Sequence, residues 1–182
     1  ACPPGDRDNP IANGGGVYAP LDNRAPQVNN CIITGCGAYR GGGAYWSTLN
    51  NCTVVSNYPG TQSGVGVWGS LVRNSIVVRN GDENYGSGAT SVDPSLFQFS
   101  CTEPLPAATV YVNHDGGGNL AVDPQFLAGT LRLADSSPCI NRGNNAFASG
   151  PRDAAGGARL LGGVVDIGAY EFQFEPVAFT LA

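Results

Sequence analysis

The residues that could do chemistry in this sequence are few and widely separated. His114 is the only histidine and stands next to Asp115. Such a pair acts as a general acid and base when a nucleophile or a third orienting group is placed beside it. Asp153 and Asp166 are candidate calcium ligands, because Ca²⁺ binds carboxylate oxygens. The sequence places no third group beside the His114–Asp115 pair or beside the two aspartates. We therefore expect a turn at His114–Asp115 and no catalytic residue. Calcium is the only cofactor to consider.

The carboxylates near the end of the chain also have a structural interpretation. Arginine and carboxylate side chains form bidentate pairs, and Arg159 lies between Asp153 and Asp166, with Glu171 soon after. We predict that these four residues make ion pairs that hold irregular turns together. Pairing of this kind is a commoner use of such carboxylates than metal binding.

Six cysteines without a CxxC motif are typical of an oxidising, extracellular setting. A zinc site is not indicated, because no two cysteines have finger spacing and there is a single histidine. We favour three disulfides, which are Cys101–Cys139, Cys31–Cys52 and Cys2–Cys36. The alternative for Cys31 and Cys52 is a pair of buried free thiols, and the sequence leaves both interpretations open.

The elements that position these residues come from a threefold repeat between Gly14 and Asn80. Each copy has a glycine-rich entry, a segment with small and aromatic residues, a turn with asparagine and a β-branched segment. The copies, named repeats 1, 2 and 3, start at residues 14, 41 and 64. A nearly fixed period of this size is typical of stacked-repeat architectures. The segments are short and rich in Val, Ile, Tyr and Trp, which favours strands over helices.

Asparagine recurs at the same place in each repeat. We predict that Asn30, Asn51 and Asn74 form an inward ladder, with side-chain amides bonded to one another or to the turn backbone. Asn51 also opens the sequon Asn51-Cys52-Thr53. A buried ladder residue cannot carry a glycan, so the ladder and glycosylation at Asn51 exclude each other. We favour the ladder.

These patterns predict an all-β fold, a short parallel β-helix, as one domain at residues 1–175. We expect regular coils at 14–80 and irregular coils at 81–175. The second range is inferred from Ser91–Phe97 and Ala121–Leu127, which echo each other around an Asp-Pro turn. The alternative fold is a β-sandwich of hairpins, which would have turns at closer spacing and no in-register repeat.

Composition argues against several classes of function. The net charge is −5, and the nine basic residues are all arginines without a cluster, so we expect no nucleic-acid binding. The sequence contains no run of 18 apolar residues, so it predicts no membrane span. The chain has no methionine and opens at Ala1, which we interpret as a mature product after signal-peptide cleavage. We expect a secreted protein of the extracellular space or the cell surface.

Five short motifs follow one another near the C-terminus. They are Asp123–Phe126, Leu131–Leu133, Ser137–Gly143, Asp153–Arg159 and Val165–Glu171. Together they resemble the C-terminal end of secreted bacterial right-handed parallel β-helix proteins of the pectin-lyase-like, choice-of-anchor Q type. The sequence departs from that pattern at Asn141, which replaces an aspartate, and at Ala158, which replaces a proline. The resemblance implies secretion and a right-handed β-helix, and it implies no reaction.

The C-terminal residues alternate in polarity and then become apolar. We predict an extended strand with subunit contacts from Phe172, Phe174, Val177, Phe179 and Leu181. In this prediction the tail, residues 176–182, adds to the sheet of the next subunit. The alternative is that the tail packs on its own coils. A β-helix has unpaired strand edges at both ends, and the sequence offers no amphipathic helix to cover them. Head-to-tail growth through such ends gives a filament when the contact does not close.

The favoured function is a non-enzymatic extracellular structural protein that self-assembles head-to-tail into a filament or surface layer. One alternative is a carbohydrate-active enzyme, a polysaccharide lyase or hydrolase, which needs clustered carboxylates or calcium-binding acids on one sheet face. The other is an adhesive module that binds surface glycans through exposed aromatic residues. Its candidate contacts are Tyr18, Tyr45, Trp46 and Trp68.

Overall fold

A computed structural model describes residues 14–19, 25–59, 66–81, 83–86, 95–104 and 115–173. Within these ranges the chain forms short strands and one 3-10 helix at Asn145–Phe147. The strands are β1 Val17–Tyr18, β2 Gln27–Asn29, β3 Ile32–Thr34, β4 Gly37–Ala38, β5 Ala44–Tyr45, β6 Thr48–Asn50, β7 Thr53–Val55, β8 Tyr58–Pro59, β9 Val67–Trp68, β10 Leu71–Arg73, β11 Ile76–Val78, β12 Leu96–Gln98 and β13 Cys101–Thr102.

The strands form four sheets in which every strand pairs with its counterpart in a neighbouring repeat. The strand orders are β1-β5-β9, β12-β10-β6-β2, β13-β11-β7-β3 and β4-β8, and all of these pairs are parallel. Asn50, for example, pairs with Asn29 on one side and Arg73 on the other. The all-β prediction is confirmed, whereas a sandwich of hairpins is contradicted because hairpin strands pair antiparallel.

The central strands β7 and β11 of the β13-β11-β7-β3 sheet are buried on both faces. Val54 and Val77 point into one apolar cluster, which also contains Leu49 and Phe97. Their neighbour Val78 points the other way, into a second cluster. Successive side chains of a strand lie on opposite faces, so both faces must be covered. This explains why every residue of β7 and β11 is buried.

Residues beyond repeat 3 first extend the parallel sheets and then turn away from them. Tyr85 bridges Val67, and Leu120 bridges Cys101, so the residues described up to 120 continue the stack. From residue 121 the chain instead runs back across the outer face of the β13-β11-β7-β3 sheet, where Leu133, Cys139 and Ile167 complete the second cluster. We call residues 121–173 the folded-back segment.

The folded-back segment corrects the expectation of irregular coils throughout 81–175. Within the range 81–175, only the described residues up to 120 extend the stack. The rest covers the stack from the side, because the outward valines and isoleucine of β7 and β11 need an apolar partner. Within the described part of the chain, no helix is long and apolar enough to cross a membrane.

Candidate functional site

Three asparagines at one corner of the repeats hold the folded-back segment. Asn30, Asn51 and Asn74 have φ of 51°, 49° and 46°, a left-handed conformation that asparagine tolerates better than most residues. The structure does not bond these amides to one another. Asn30 Nδ2 donates to the carbonyl of Ser149 at 2.6 Å, and Asn51 Nδ2 donates to that of Asp166 at 3.2 Å.

Asn74 makes the same kind of contact twice. Its Nδ2 donates to the carbonyl of Asn144 at 2.9 Å, and its Oδ1 accepts from the Asn144 N–H at 2.8 Å. Of the two arrangements predicted for this set, bonding between the amides does not occur. The amides bond to backbone instead, and this is the backbone of the folded-back segment, because the left-handed corner turns them towards it. Asn51 is fully buried, and its Nδ2 is hydrogen-bonded, so its sequon is not at the surface.

An asparagine ladder with amide-to-amide hydrogen bonds is formed instead by Asn57, Asn80 and Asn84, for which none was predicted. Asn57 Nδ2 donates to Asn80 Oδ1 at 2.8 Å, and Asn80 Nδ2 donates to Asn84 Oδ1 at 3.2 Å. Two of the side-chain oxygens also accept a backbone N–H of the preceding repeat. Asn57 Oδ1 accepts that of Cys36 at 3.0 Å, and Asn80 Oδ1 accepts that of Asn57 at 3.2 Å. The 23-residue spacing of Asn57 and Asn80 was the available signal.

Hydroxyl side chains form a second ladder beside the β13-β11-β7-β3 sheet. Ser75 Oγ accepts the N–H of Cys52 at 2.9 Å, and Ser100 Oγ accepts that of Ser75 at 3.1 Å. Asn119 Oδ1 then accepts the N–H of Ser100 at 2.9 Å. Ser75 directly follows the corner residue Asn74, and Ser100 follows Phe99, which has a φ of 49°. The ladder satisfies buried N–H groups that the strands leave unpaired.

Arg159 and Glu171 form a buried ion pair in the folded-back segment, which confirms this part of the predicted ion-pair set. Nη2 and Oε2 lie 2.7 Å apart, and both side chains are 1% exposed. Arg159 Nη1 also donates to the carbonyls of Gly168 and Ala169, each at 3.1 Å, and to Asn30 Oδ1 at 3.3 Å. Such additional hydrogen bonds are what a buried pair needs to offset desolvation.

Asp153 does not pair with arginine, contrary to the prediction. Its Oδ1 accepts the N–H groups of Ala155 at 2.9 Å and Gly157 at 2.8 Å, and its Oδ2 accepts that of Glu171 at 3.0 Å. The carboxylate thus takes the place of a strand partner for three turn N–H groups. It brings the 153–157 turn to the end of the segment.

Asp166 has the same role on the other side of the ion pair, and here too the predicted salt bridge is absent. It accepts the N–H of Asn141 at 2.7 Å and that of Phe172 at 2.5 Å. The pKa of Asp166 is raised to about 6, mainly by burial and to a smaller extent by the nearby Glu171, although those two backbone donors and Arg159 lower it. Phe172, predicted as a subunit contact, is half-buried in this position.

The calcium interpretation of Asp153 and Asp166 conflicts with these contacts. All four carboxylate oxygens accept backbone N–H groups, which a cation would have to displace. Among the described residues no group of three or more His, Cys, Asp or Glu side chains could hold a metal ion. Asp115 serves a turn as expected, accepting from Gly117 N and Asn119 Nδ2, and His114 lies outside the described residues.

The cysteines differ from the predicted disulfides. Cys31, Cys52, Cys101 and Cys139 are free thiols. Cys31 and Cys52 are not linked because each thiol is directed at a backbone carbonyl, that of Asn29 at 3.1 Å and that of Val28 at 3.3 Å. Burial raises the pKa of Cys52 to about 12.

The remaining cysteine prediction reaches beyond the described residues. Cys36 is disulfide-bonded, and its predicted partner Cys2 lies outside the described part of the chain. Of the predicted subunit contacts in the tail, Phe174, Val177, Phe179 and Leu181 lie outside it as well.

The aromatic residues of repeats 1 to 3 lie at one end and one side of the stack. Tyr18 stacks on Tyr45 with ring centroids 5.8 Å apart, and Tyr18 is 51% exposed. Trp46 packs against Tyr45 at 6.4 Å. Arg40 lies over the ring of Trp68 at 5.0 Å. One ring, that of Tyr18, is thus open to solvent at the repeat 1 end.

The two ends of the stack differ. Each strand of repeat 1, from β1 to β4, stands last in its sheet and pairs on one side only among the described residues. At the opposite end, residues 115–120 lie over β12 and β13 through isolated bridges. Within the described part of the chain, repeat 1 therefore presents an open strand edge, which comprises β2 and β3 and is flanked by the exposed ring of Tyr18.

No protein-family model matches this chain. No solved structure matches it at a significant level either. Two features of the chain's own geometry stand out: the buried anchor of the folded-back segment and the open edge of repeat 1.

Proposed function

We propose that this chain is a right-handed parallel β-helix of the secreted bacterial type that its C-terminal motifs resemble. Support comes from the pairing, since four sheets each take one short strand from successive repeats in the same register. Asparagine and serine ladders along the repeats are a further support, because they need equivalent residues to lie directly above one another.

The function we infer is structural: a non-enzymatic extracellular subunit that joins further copies of itself head-to-tail into a filament or surface layer. The observation that carries this proposal is the open edge of repeat 1. β2 and β3 have partners on one side only among the described residues. A parallel strand edge of this kind is a ready template for another chain.

The residues at the open edge suit a partner that adds strands. Gln27, Cys31 and Thr34 are exposed along it, and none of them carries a charge that would oppose strand addition. Tyr18 offers a flat apolar face beside the edge, which a second copy would bury. A contact between one copy's open edge and the far end of the next is heterologous, so it extends rather than closes.

Sedimentation velocity and negative-stain electron microscopy of the wild type and Gln27→Lys test this proposal. Lysine on an edge strand opposes strand addition, so the variant is expected to remain monomeric under conditions in which the wild type forms filaments. Ala146→Lys adds the same charge at an exposed site on the folded-back segment and should leave assembly unchanged. A wild type that sediments as a monomer at high concentration would refute the proposal.

The tail provides a second test of the same function. Its residues 176–182 lie outside the described part of the chain, and we propose them as a strand donated to the next copy. Deletion of 176–182 is expected to abolish filaments while leaving the thermal unfolding of the repeats unchanged. Filaments of unchanged length would contradict donation by the tail and leave the open edge as the assembly contact.

One observation favours a second candidate, binding of surface glycans. Tyr18 is 51% exposed, and its free ring face resembles the aromatic platforms on which sugar rings stack. Glycan-array binding that is lost in Tyr18→Ala but retained in Gln27→Lys would favour this function over assembly. Polysaccharide cleavage has weaker support, because the buried carboxylates Asp153, Asp166 and Glu171 are occupied by backbone donors and Arg159.

A further inference from the structure

An apolar loop stands out from the folded-back segment. It comprises residues 160–164, and we call it the 160–164 loop. Leu160 is 50% and Val164 36% exposed. Single exposed apolar residues are ordinary on protein surfaces, whereas two within one short loop form a patch that another surface can cover.

Hydrogen bonds hold this loop in place on both sides. Leu161 N donates to Glu171 Oε1 at 3.0 Å. Asn145 Nδ2 donates to the carbonyl of Gly163 at 2.8 Å, and Asn145 Oδ1 accepts the N–H of Val165 at 2.9 Å. The loop therefore presents its apolar side chains from a fixed backbone, which reduces the conformational entropy lost on binding.

A cavity of about 620 Å³ lies beside the 160–164 loop, because Glu171, which fixes the loop, also lines the cavity. Leu127, Leu133 and Phe172 supply apolar walls, and Leu127 is 47% exposed. The turn that carries Leu127 is closed by its N–H, which donates to the carbonyl of Arg132 at 2.9 Å. A projecting and a receding apolar surface thus lie next to each other on one molecule.

Two opposite charges stand at the same cavity. Arg132 and Asp135 both line it, and both are exposed. The guanidinium of Arg132 lies over the ring of Tyr170 at 4.7 Å, and among the described residues neither charge has an ion-pair partner. A surface with one unpaired charge of each sign is self-complementary, because in a two-fold pair the arginine of each copy can face the aspartate of the other.

We propose that this surface joins two copies of the chain about a two-fold axis, with the 160–164 loop of each copy in the cavity of the other and Arg132 of each copy facing Asp135 of the other. The proposal rests on the head-to-tail assembly proposed above, because a contact made by one loop and one cavity is smaller than stable dimers usually need. Between two filaments the contact recurs along their length, and many weak contacts act together. The expected product is a pair of filaments joined side by side.

Negative-stain electron microscopy of the wild type and Leu160→Asp tests the pairing. We expect wild-type filaments to be two subunits wide and those of the variant to be one subunit wide and equally long, because a charged side chain is costly to bury in an apolar cavity. Ala154→Asp adds the same charge at an exposed site outside the loop and the cavity and should leave the pairs intact. Wild-type filaments one subunit wide would overturn this proposal and leave head-to-tail assembly standing, whereas a wild type without filaments would overturn both.

The two charges provide a sharper test in the same micrographs. Asp135→Arg places arginine opposite arginine across the two-fold axis and should separate the paired filaments. Arg132→Asp places aspartate opposite aspartate and should do the same. The double variant with both changes should restore the pairs, since each copy again presents one charge of each sign. A double variant whose filaments stay single would refute the facing of these two residues.

A measurement on the monomer separates a second copy from the chain's own tail as the occupant of the cavity. The chain leaves its described part at Gln173, which lines the cavity. In the Gln27→Lys background, which is expected to be monomeric, Leu127→Asp should change Tm by less than about 2 °C, because Leu127 is already exposed. A larger fall in Tm would favour the tail as the occupant and overturn the proposal.

Discussion

The parallel stack, which comprises the described residues up to 120, and the folded-back segment at 121–173 both bury backbone polar groups, yet they satisfy them differently. In the repeats, parallel strands and side-chain ladders pair the same positions again and again. In the segment no strand forms among the described residues. There, single carboxylates and asparagines each accept or donate at one place. Each hydrogen bond of a ladder is therefore one of several equivalent bonds along the stack. A hydrogen bond in the folded-back segment has no equivalent elsewhere in the segment.

This difference predicts where the molecule is most sensitive, and the largest effect is expected at Arg159. Arg159→Met leaves the Glu171 carboxylate buried without its cation, which costs about 3–5 kcal/mol in the free energy of unfolding. Hydrogen exchange should show loss of protection at Ala169 N, which donates to Thr53 Oγ1 across the contact. Arg142→Met, at an exposed site, should change stability by less than about 0.5 kcal/mol. Equal effects of the two changes would contradict the comparison.

A second effect concerns pH and lies in the segment alone. The pKa of Asp166 is about 6 when folded against an ordinary value of 3.8, so the folded state binds the proton more tightly. Stability from this group is therefore fully present below about pH 4 and is lost as the pH rises through 6, a change of about 3 kcal/mol.

Urea unfolding at pH 4 and pH 7 measures this effect as the difference between wild type and Asp166→Asn. The wild type should lose more stability than the variant between these two pH values, because the variant has no carboxyl group to ionise at this position. A wild type that gains stability relative to the variant over the same range would reverse the sign and contradict the burial argument.

A third effect tests the ladder in the repeats. Asn80→Ala removes the acceptor for Asn57 N and Asn57 Nδ2 and the donor to Val54 O. Leaving these buried groups unpaired should cost about 1–3 kcal/mol. In urea unfolding the whole stack should be affected rather than the segment. Asn84→Ala is the matched change at the half-buried end of the ladder, where water can replace the amide, and a smaller loss is expected there.

The smallest effect is expected at the exposed counterpart of the buried ion pair. Arg79 Nη2 lies 3.0 Å from Asp123 Oδ1, with side chains 56% and 63% exposed. Arg79→Gln should cost about 0–1 kcal/mol, and the difference should shrink at high salt. A loss as large as that of Arg159→Met would show that burial is not what separates the two pairs.

Much of the parallel stack could be predicted from the sequence, because its signal is repeated. The glycine-rich entries and the β-branched segments recur with nearly constant spacing, and strand pairing then follows from stacking equivalent positions. Which asparagine faces inward could not be predicted in this way. Asn51 and Asn57 both have an equivalent asparagine in the next repeat. Only the left-handed corner at Asn51 directs its amide away from the ladder and towards the folded-back segment.

The folded-back segment was harder to predict for the opposite reason. Arg159 and Glu171 belong to the predicted ion-pair set of four residues, and they are the two that pair. Asp153 and Asp166 were misassigned, because the N–H groups they accept become available only once the turns at 153–157 and 166–172 have formed. No periodicity in the sequence indicates that these turns lie across β7 and β11.

The asparagine corner also sets how many layers the chain can have. The segment touches Asn74 through Asn144, Asn30 through Ser149 and Asn51 through Asp166, so a single stretch spans three successive layers. Inserting one more repeat between them would move Asn30 away from Ser149 by one strand spacing, about 4.8 Å. The segment would then need a matching insertion. The number of layers in the stack and the length of the folded-back segment can therefore change only together.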